Sequence, residues 1–145
     1  MKDFFAGIQL ILLRRHSSAG RRLKFEITGG AKALISEENT IFFTDEMKLE
    51  LTLVMQELCT NCLKHGKGIT QCRFSFENGS LTISLTNDVS HKKNSFTNTT
   101  QTGSKTLHYR IARLNGTFSE ICTENRFTIK LVIPVKSSHH SLTKE

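Results

Sequence analysis

The 145-residue chain has no tryptophan, a single proline and only four cysteines. With 37% hydrophobic and 23% charged residues, that mix fits one globular domain and argues against a disordered chain, a repeat array or a multidomain protein. The four cysteines, Cys59, Cys62, Cys72 and Cys122, are too few and too scattered to staple a secreted domain, so reduced thiols are expected. Cys59 and Cys62 have zinc or redox spacing, but they fall inside a helical pattern and no second pair follows, which favours small buried thiols. Long apolar runs are also missing. The longest, residues 4–13, is too short to span a bilayer, and Asp3 before it and Arg14, Arg15 and His16 after it do not suit a signal peptide. The expectation is a cytoplasmic chain whose segment makes no membrane contact.

Acidic residues are in short supply as well: 20 Lys and Arg face 13 Asp and Glu, for a formal net charge of +7. An excess of this sign favours a phosphate-bearing partner. The basic residues are spread along the chain without a recognisable reading motif, so no nucleic acid is expected.

What is present is strong local patterning. Apolar residues at helical spacing open the chain, and the helix they predict ends near residues 17–20. Leu23, Phe25 and Ile27 alternate with polar residues as a strand closed by Gly29 and Gly30. Residues 31–44 are ambiguous, with Ile41, Phe42 and Phe43 readable as a short edge strand and Thr44 or Asp45 as an N-cap. Residues 46–65 form the clearest helix, with Met47, Leu51, Val54, Met55, Leu58 and Cys62 on one stripe and Gly66 and Gly68 as its stop. Cys72, Phe74 and Phe76, then Asn78-Gly79, then Leu81, Ile83 and Leu85 spell a hairpin with one buried face. Residues 88–102 read as a mobile polar loop. A short helix over 104–114 ends at Asn115-Gly116, and two strands follow, over 117–123 and 127–133 up to Pro134. The polar tail 136–145 is expected to be disordered. The tight turns between neighbouring strands predict a two-layer α/β sandwich: a mixed, largely antiparallel sheet with helices on one face.

On the long helix Glu57, Asn61 and Lys64 stand at i, i+4 and i+7 along one flank of the apolar stripe. A carboxylate, an amide oxygen and a cation in one row suit a metal-phosphate surface, because Mg²⁺ takes oxygen ligands and keeps several waters. Spacing alone favours the plainer reading, solvated polar residues on a surface helix.

The segment Glu57-Leu58-Cys59-Thr60-Asn61-Cys62-Leu63-Lys64-His65 resembles the N-box of the histidine-kinase-like ATPases, the group of gyrase, heat-shock chaperone, histidine kinase and mismatch-repair ATPases. It is most similar to the sensor-kinase version. Residues 102–116 resemble the stretch that runs from the family's last glycine box through the following helix, and order and spacing agree over about residues 23–134. The resemblance implies a Bergerat-type ATP-binding fold over 21–135, with residues 1–20 as a helix that could be the stub of a dimerisation region. It implies ATP and Mg²⁺ as ligands, Asn61 as the Mg²⁺ ligand, and Glu57 as the group that orients or deprotonates the attacking atom. Lys64 and His65 would approach the phosphates, residues 90–102 would form the ATP lid, and Gly103 and Ser104 would open a helix towards a phosphate.

One box departs from the family pattern. Where an Asp-x-Gly run is expected after the second hairpin strand, this chain has Asn87, Asp88 and Val89. Asn87 can still accept from an adenine amino group, at a loss of about 1 kcal/mol relative to a charged acceptor. Asp88 faces the other side of the strand unless a bulge shifts the register. No histidine in the chain suits a phosphoacceptor. The function implied is therefore the ATP-binding catalytic domain of a two-component sensor histidine kinase, acting on a histidine-bearing dimerisation domain or alongside a response regulator. An anti-sigma-type serine kinase and a degenerate regulatory module of the same fold are the alternatives.

Overall fold

The computed structural model describes residues 2–29, 43–89 and 105–135. Helix α1 (Lys2–Ser18) leads into strand β1 (Leu23–Gly29), helix α2 (Asp45–His65) and the hairpin β2 (Gly66–Glu77) and β3 (Ser80–Val89). Helix α3 (residues 105–113) then precedes β4 (Thr117–Cys122) and β5 (Arg126–Pro134). The candidate lid over 90–102, Gly103 and Ser104, the edge-strand residues Ile41 and Phe42, and the tail lie outside the described residues.

Local chemistry accounts for most element boundaries. The Thr44 hydroxyl accepts from the Met47 amide at 3.1 Å, capping α2, and Asp45 and Glu46 complement the positive end of its dipole. Gly66 ends the helix by donating its N–H to the Cys62 carbonyl, and β2 starts at that same residue. The strand therefore begins earlier than the alternation at Cys72 suggests, because Gly66 and Lys67 pair with Val89 and Asp88 before a bulge between Lys67 and Gln71. Asn78 and Gly79 both take positive φ, 54° and 76°, as a two-residue primed turn requires.

The sheet is mixed, in the order β1-β2-β3-β5-β4, with β1 and β2 parallel and every other pair antiparallel. Parallel pairing of β1 with β2 needs a crossover, and α2 supplies it. One sheet face is apolar. Register aligns Cys72 with Leu85 and Ile129, and Phe74 with Ile83 and Leu131, and all six are buried. On the α2 stripe Leu51, Val54, Met55, Leu58, Cys59 and Cys62 are buried against this face, whereas Met47 is only half-buried. The opposite sheet face carries residues such as Lys24, Glu26, Arg73, Ser84 and Lys130 in alternation with the core. The helix read as a candidate stub of a dimerisation region inserts Phe5, Ile8 and Leu12 into the same core, with the Phe5 ring 5.7 Å from that of Phe74.

A polar network ties the end of α1 to the start of β2. His16 is 1% exposed; its Nδ1 lies 2.9 Å from the Leu12 carbonyl and its Nε2 lies 2.9 Å from the Thr70 hydroxyl. Because a carbonyl only accepts, Nδ1 carries the proton and Nε2 accepts from Thr70. Arg21 donates to the carbonyls of Gly68 at 2.7 Å and Gly66 at 2.9 Å, fixing the backbone where β2 begins.

Candidate functional site

The C-terminal half of α2 carries the residues picked out by the sequence, and the structure separates their environments. Glu57 is half-buried, and its Oε2 is buried with no hydrogen-bond partner among the described residues. Burial raises the Glu57 pKa above the usual carboxylate range, while the nearby Arg110 charge pulls it back. Asn61, one turn on, is half-buried and faces the same flank. Lys64 is exposed, in a groove with Arg14 and Arg15 between α1 and α2. His65 is half-buried, and burial followed by the Lys64 charge lowers its pKa, which favours the neutral ring at neutral pH.

Asn87 enters from β3. It is 1% exposed, and its Nδ2 donates to the Cys62 carbonyl at 3.1 Å. That carbonyl can only accept, so the amide orientation is fixed and Oδ1 points away from it. Oδ1 is buried and has no partner among the described residues. The close approach depends on Gly66, where an added Cβ would lie 2.4 Å from the Asn87 Cγ and closer still to Nδ2. Asp88 faces the other way, exposed, with Oδ1 3.8 Å from Arg126 Nε. The bulge in this hairpin falls in β2, so β3 keeps its alternation and Asn87, not Asp88, faces the helices. Val89 is buried in the core.

Sequence reasoning missed the connection between α3 and α2. Glu50 is 8% exposed; its Oε1 accepts from Arg110 Nη1 at 3.0 Å, and its Oε2 forms an ion pair with Arg113 Nε at 2.8 Å without a hydrogen bond. This fork fixes α3 across the flank of α2, two turns before Glu57. The only sequence signal was a charged residue placed between the stripe positions Met47 and Leu51. Burial raises the Cys59 pKa to about 11 and the Cys62 pKa to about 12, so both thiols stay protonated and unreactive at neutral pH. Among the described residues no cluster of three or more His, Cys, Asp or Glu is placed to hold a metal.

The donor set nevertheless fits an adenine nucleotide with Mg²⁺. A buried amide oxygen lacking a donor suits an exocyclic amino group, and Glu57 with Asn61 offers hard oxygen atoms of the kind Mg²⁺ takes alongside phosphates and water. No helix among the described residues is long and apolar enough to cross a membrane.

No protein-family model matches the chain, and no curated protein matches it. Solved structures do. The histidine kinase domain of the Erythrobacter litoralis EL346 blue-light activated histidine kinase superposes with a TM-score of 0.70 at 17% identity, over 91% of this chain and 61% of that one. The catalytic domain of histidine kinase ThkA, in a nucleotide-free form, gives 0.68 at 10% identity over 92% and 91%. Full-length ShkA in complex with AMPPNP gives 0.68 at 13% identity over 94% of this chain and 30% of that one. The chain thus spans about three fifths of the E. litoralis domain and nearly all of the ThkA catalytic domain. Its fold is that of histidine kinase catalytic domains.

Proposed function

We propose that this chain is the ATP-binding catalytic unit of a cytoplasmic two-component sensor histidine kinase, donating the γ-phosphoryl of ATP to a histidine on a dimerisation domain elsewhere. The observation that carries the reading is the Asn87 amide. It is fixed by the Cys62 carbonyl so that a buried, partnerless oxygen is presented beside the end of the N-box helix. The ShkA complex with AMPPNP, in which this fold accounts for 30% of the chain, supports it. Asn87 would accept from the adenine amino group, Asn61 would ligate Mg²⁺, and Lys64, His65, Gly103 and Ser104 would approach the phosphates. Mg²⁺ would supply charge neutralisation at the transferred phosphoryl. Glu57 would orient the attacking imidazole or take its proton; burial raises its pKa and so its basicity, and the nearby Arg110 charge offsets part of that rise. Residues 2–135 would act as one unit, because α1 commits Phe5, Ile8 and Leu12 to the same core as the sheet.

Calorimetric titration with MgATP and MgGTP tests the reading. Saturable, adenine-selective binding is expected. Asn61→Ala should remove the Mg²⁺ dependence of binding while leaving affinity in chelator nearly unchanged, and its stability should stay within about 1 kcal/mol because the residue lies off the apolar stripe. Absence of any affinity at millimolar nucleotide would leave the second reading, a regulatory module of the same fold. The burial of Val89, where the family has glycine, is the observation in its favour.

A further inference from the structure

The outward faces of α1 and α2 leave a groove of about 610 Å³, lined by Arg14, Arg15, Ser18, Thr60, Leu63 and Lys64. Every charged residue in that lining is a cation. Arg15 Nη1 donates to the Thr60 hydroxyl at 3.2 Å, which links the two walls and holds one guanidinium at the groove. Leu63 is half-buried, and the methylene stems of the three long cations add apolar surface beneath their charges. The apolar character continues along both helices. Leu10 lies one turn before Arg14 in the same row of α1 and is 48% exposed; Leu49, on the outward row of α2 that leads through Leu53 to Thr60, is 61% exposed.

We infer that this groove docks an acidic amphipathic helix of a partner protein, with leucine-like side chains against Leu63 and the exposed leucine rows and carboxylates against Arg14, Arg15 and Lys64. A surface seam where one turn of α1 meets one turn of α2, with Leu63 and the cation stems as its apolar area, suits a third helix laid along it. Charge complementarity selects the sign of the partner. Glutamate-rich flanks meet three cations, whereas a basic helix would bring like charges together in a groove without an acidic residue. The inference does not depend on nucleotide binding.

The test uses the full chain and a fluorescein-labelled designed helix of about 15 residues, with leucines on one face and glutamates on its flanks. A control peptide carries lysine at each glutamate position. The acidic peptide should bind saturably, weaken as salt rises, and shift the backbone amide resonances of residues 14–18 and 60–64. Arg14→Glu with Arg15→Glu should weaken it by about tenfold or more; thermal unfolding, followed as a check on folding, should fall only slightly, because the Arg15–Thr60 bond that is lost is exposed, and Arg14→Gln with Arg15→Gln, which reverses no charge, should weaken the peptide in the same direction. Lys64 is left intact, so MgATP binding can be measured on the same variant. Loss of peptide binding with nucleotide binding retained separates the two readings. Equal binding of the lysine peptide, amide shifts centred elsewhere, or unchanged affinity in the variant overturns the inference. So does a concentration-dependent dimer of the parent that the two substitutions dissolve, which would assign the groove to a second copy. Displacement of the peptide by vesicles containing anionic lipid but not by neutral ones would assign it to a membrane surface, and likewise overturns the inference.

Discussion

Asn87→Asp restores the acidic residue that the histidine-kinase-like ATPases carry, and from the sequence alone it should tighten adenine binding. The structure predicts a penalty first. Asn87 is 1% exposed and donates from Nδ2 to the Cys62 carbonyl at 3.1 Å. An ionised carboxylate there would lose that donor and set a second acceptor against the carbonyl. It would also sit at the C-terminal end of α2, where the helix dipole is negative. Losing the hydrogen bond costs about 1 kcal/mol and burying the charge about 2 more, for a total near 3 kcal/mol at neutral pH. The penalty is avoided when the carboxyl is protonated, because its O–H can then donate to Cys62. The introduced group therefore has a folded-state pKa above its unfolded value near 4, and by linkage the destabilisation is small below that pH. It grows by about 1.4 kcal/mol per unit as pH rises, until the folded pKa is passed, about 2 units higher for a 3 kcal/mol total. Urea unfolding of parent and variant at a series of pH values measures the difference, and subtraction removes the background shared by both. A difference that does not change with pH, or a variant as stable as the parent at pH 7, refutes the amide orientation. Adenine affinity should be compared at a urea-free pH where both proteins are folded, since only there is the acceptor's strength isolated.

Three further outcomes follow from the same contacts. Gly66→Ala places a Cβ 2.7 Å from the Cys62 carbonyl oxygen and 2.4 Å from the Asn87 Cγ, so it should destabilise by about 1–3 kcal/mol and weaken nucleotide binding; equal urea midpoints would show that the backbone yields freely. Leu12→Ala, at a site with no exposure, should cost about 2–5 kcal/mol in urea unfolding; a cost below 1 kcal/mol would mean that α1 is not part of the core. His16 is held neutral by burial and by the neighbouring Arg21, with its pKa lowered despite the Leu12 carbonyl, so its contribution to stability is complete above the unfolded pKa of about 6.5. That contribution is lost as pH falls towards the folded value, by up to about 1.4 kcal/mol per unit; His16→Gln should flatten this part of the stability profile, and an unchanged slope would refute the assignment.

What the sequence by itself determined is what short-range physics can encode. The 3.6-residue stripe and the Thr44 cap define α2, the alternation around Asn78-Gly79 defines the hairpin, and i, i+4, i+7 spacing puts Glu57, Asn61 and Lys64 along one flank. Each of these signals lies within a few residues of what it specifies. The mixed sheet was also legible, because tight turns force antiparallel neighbours while a helix between strands permits a parallel pair. The fate of individual polar groups was not. Asn87 reaches Cys62 across 25 residues, and Arg110 reaches Glu50 across 60. Nothing local announces that one amide will be held through the space left by Gly66, or that a charged residue beside the core stripe will anchor α3. Lys64 shows the same limit: spacing placed it beside Asn61, and only the packing of α1 on α2 put its neighbours Arg14 and Arg15 around it. Tertiary structure decided these matters because burial and partner choice depend on which elements meet, and that is settled by the whole core at once.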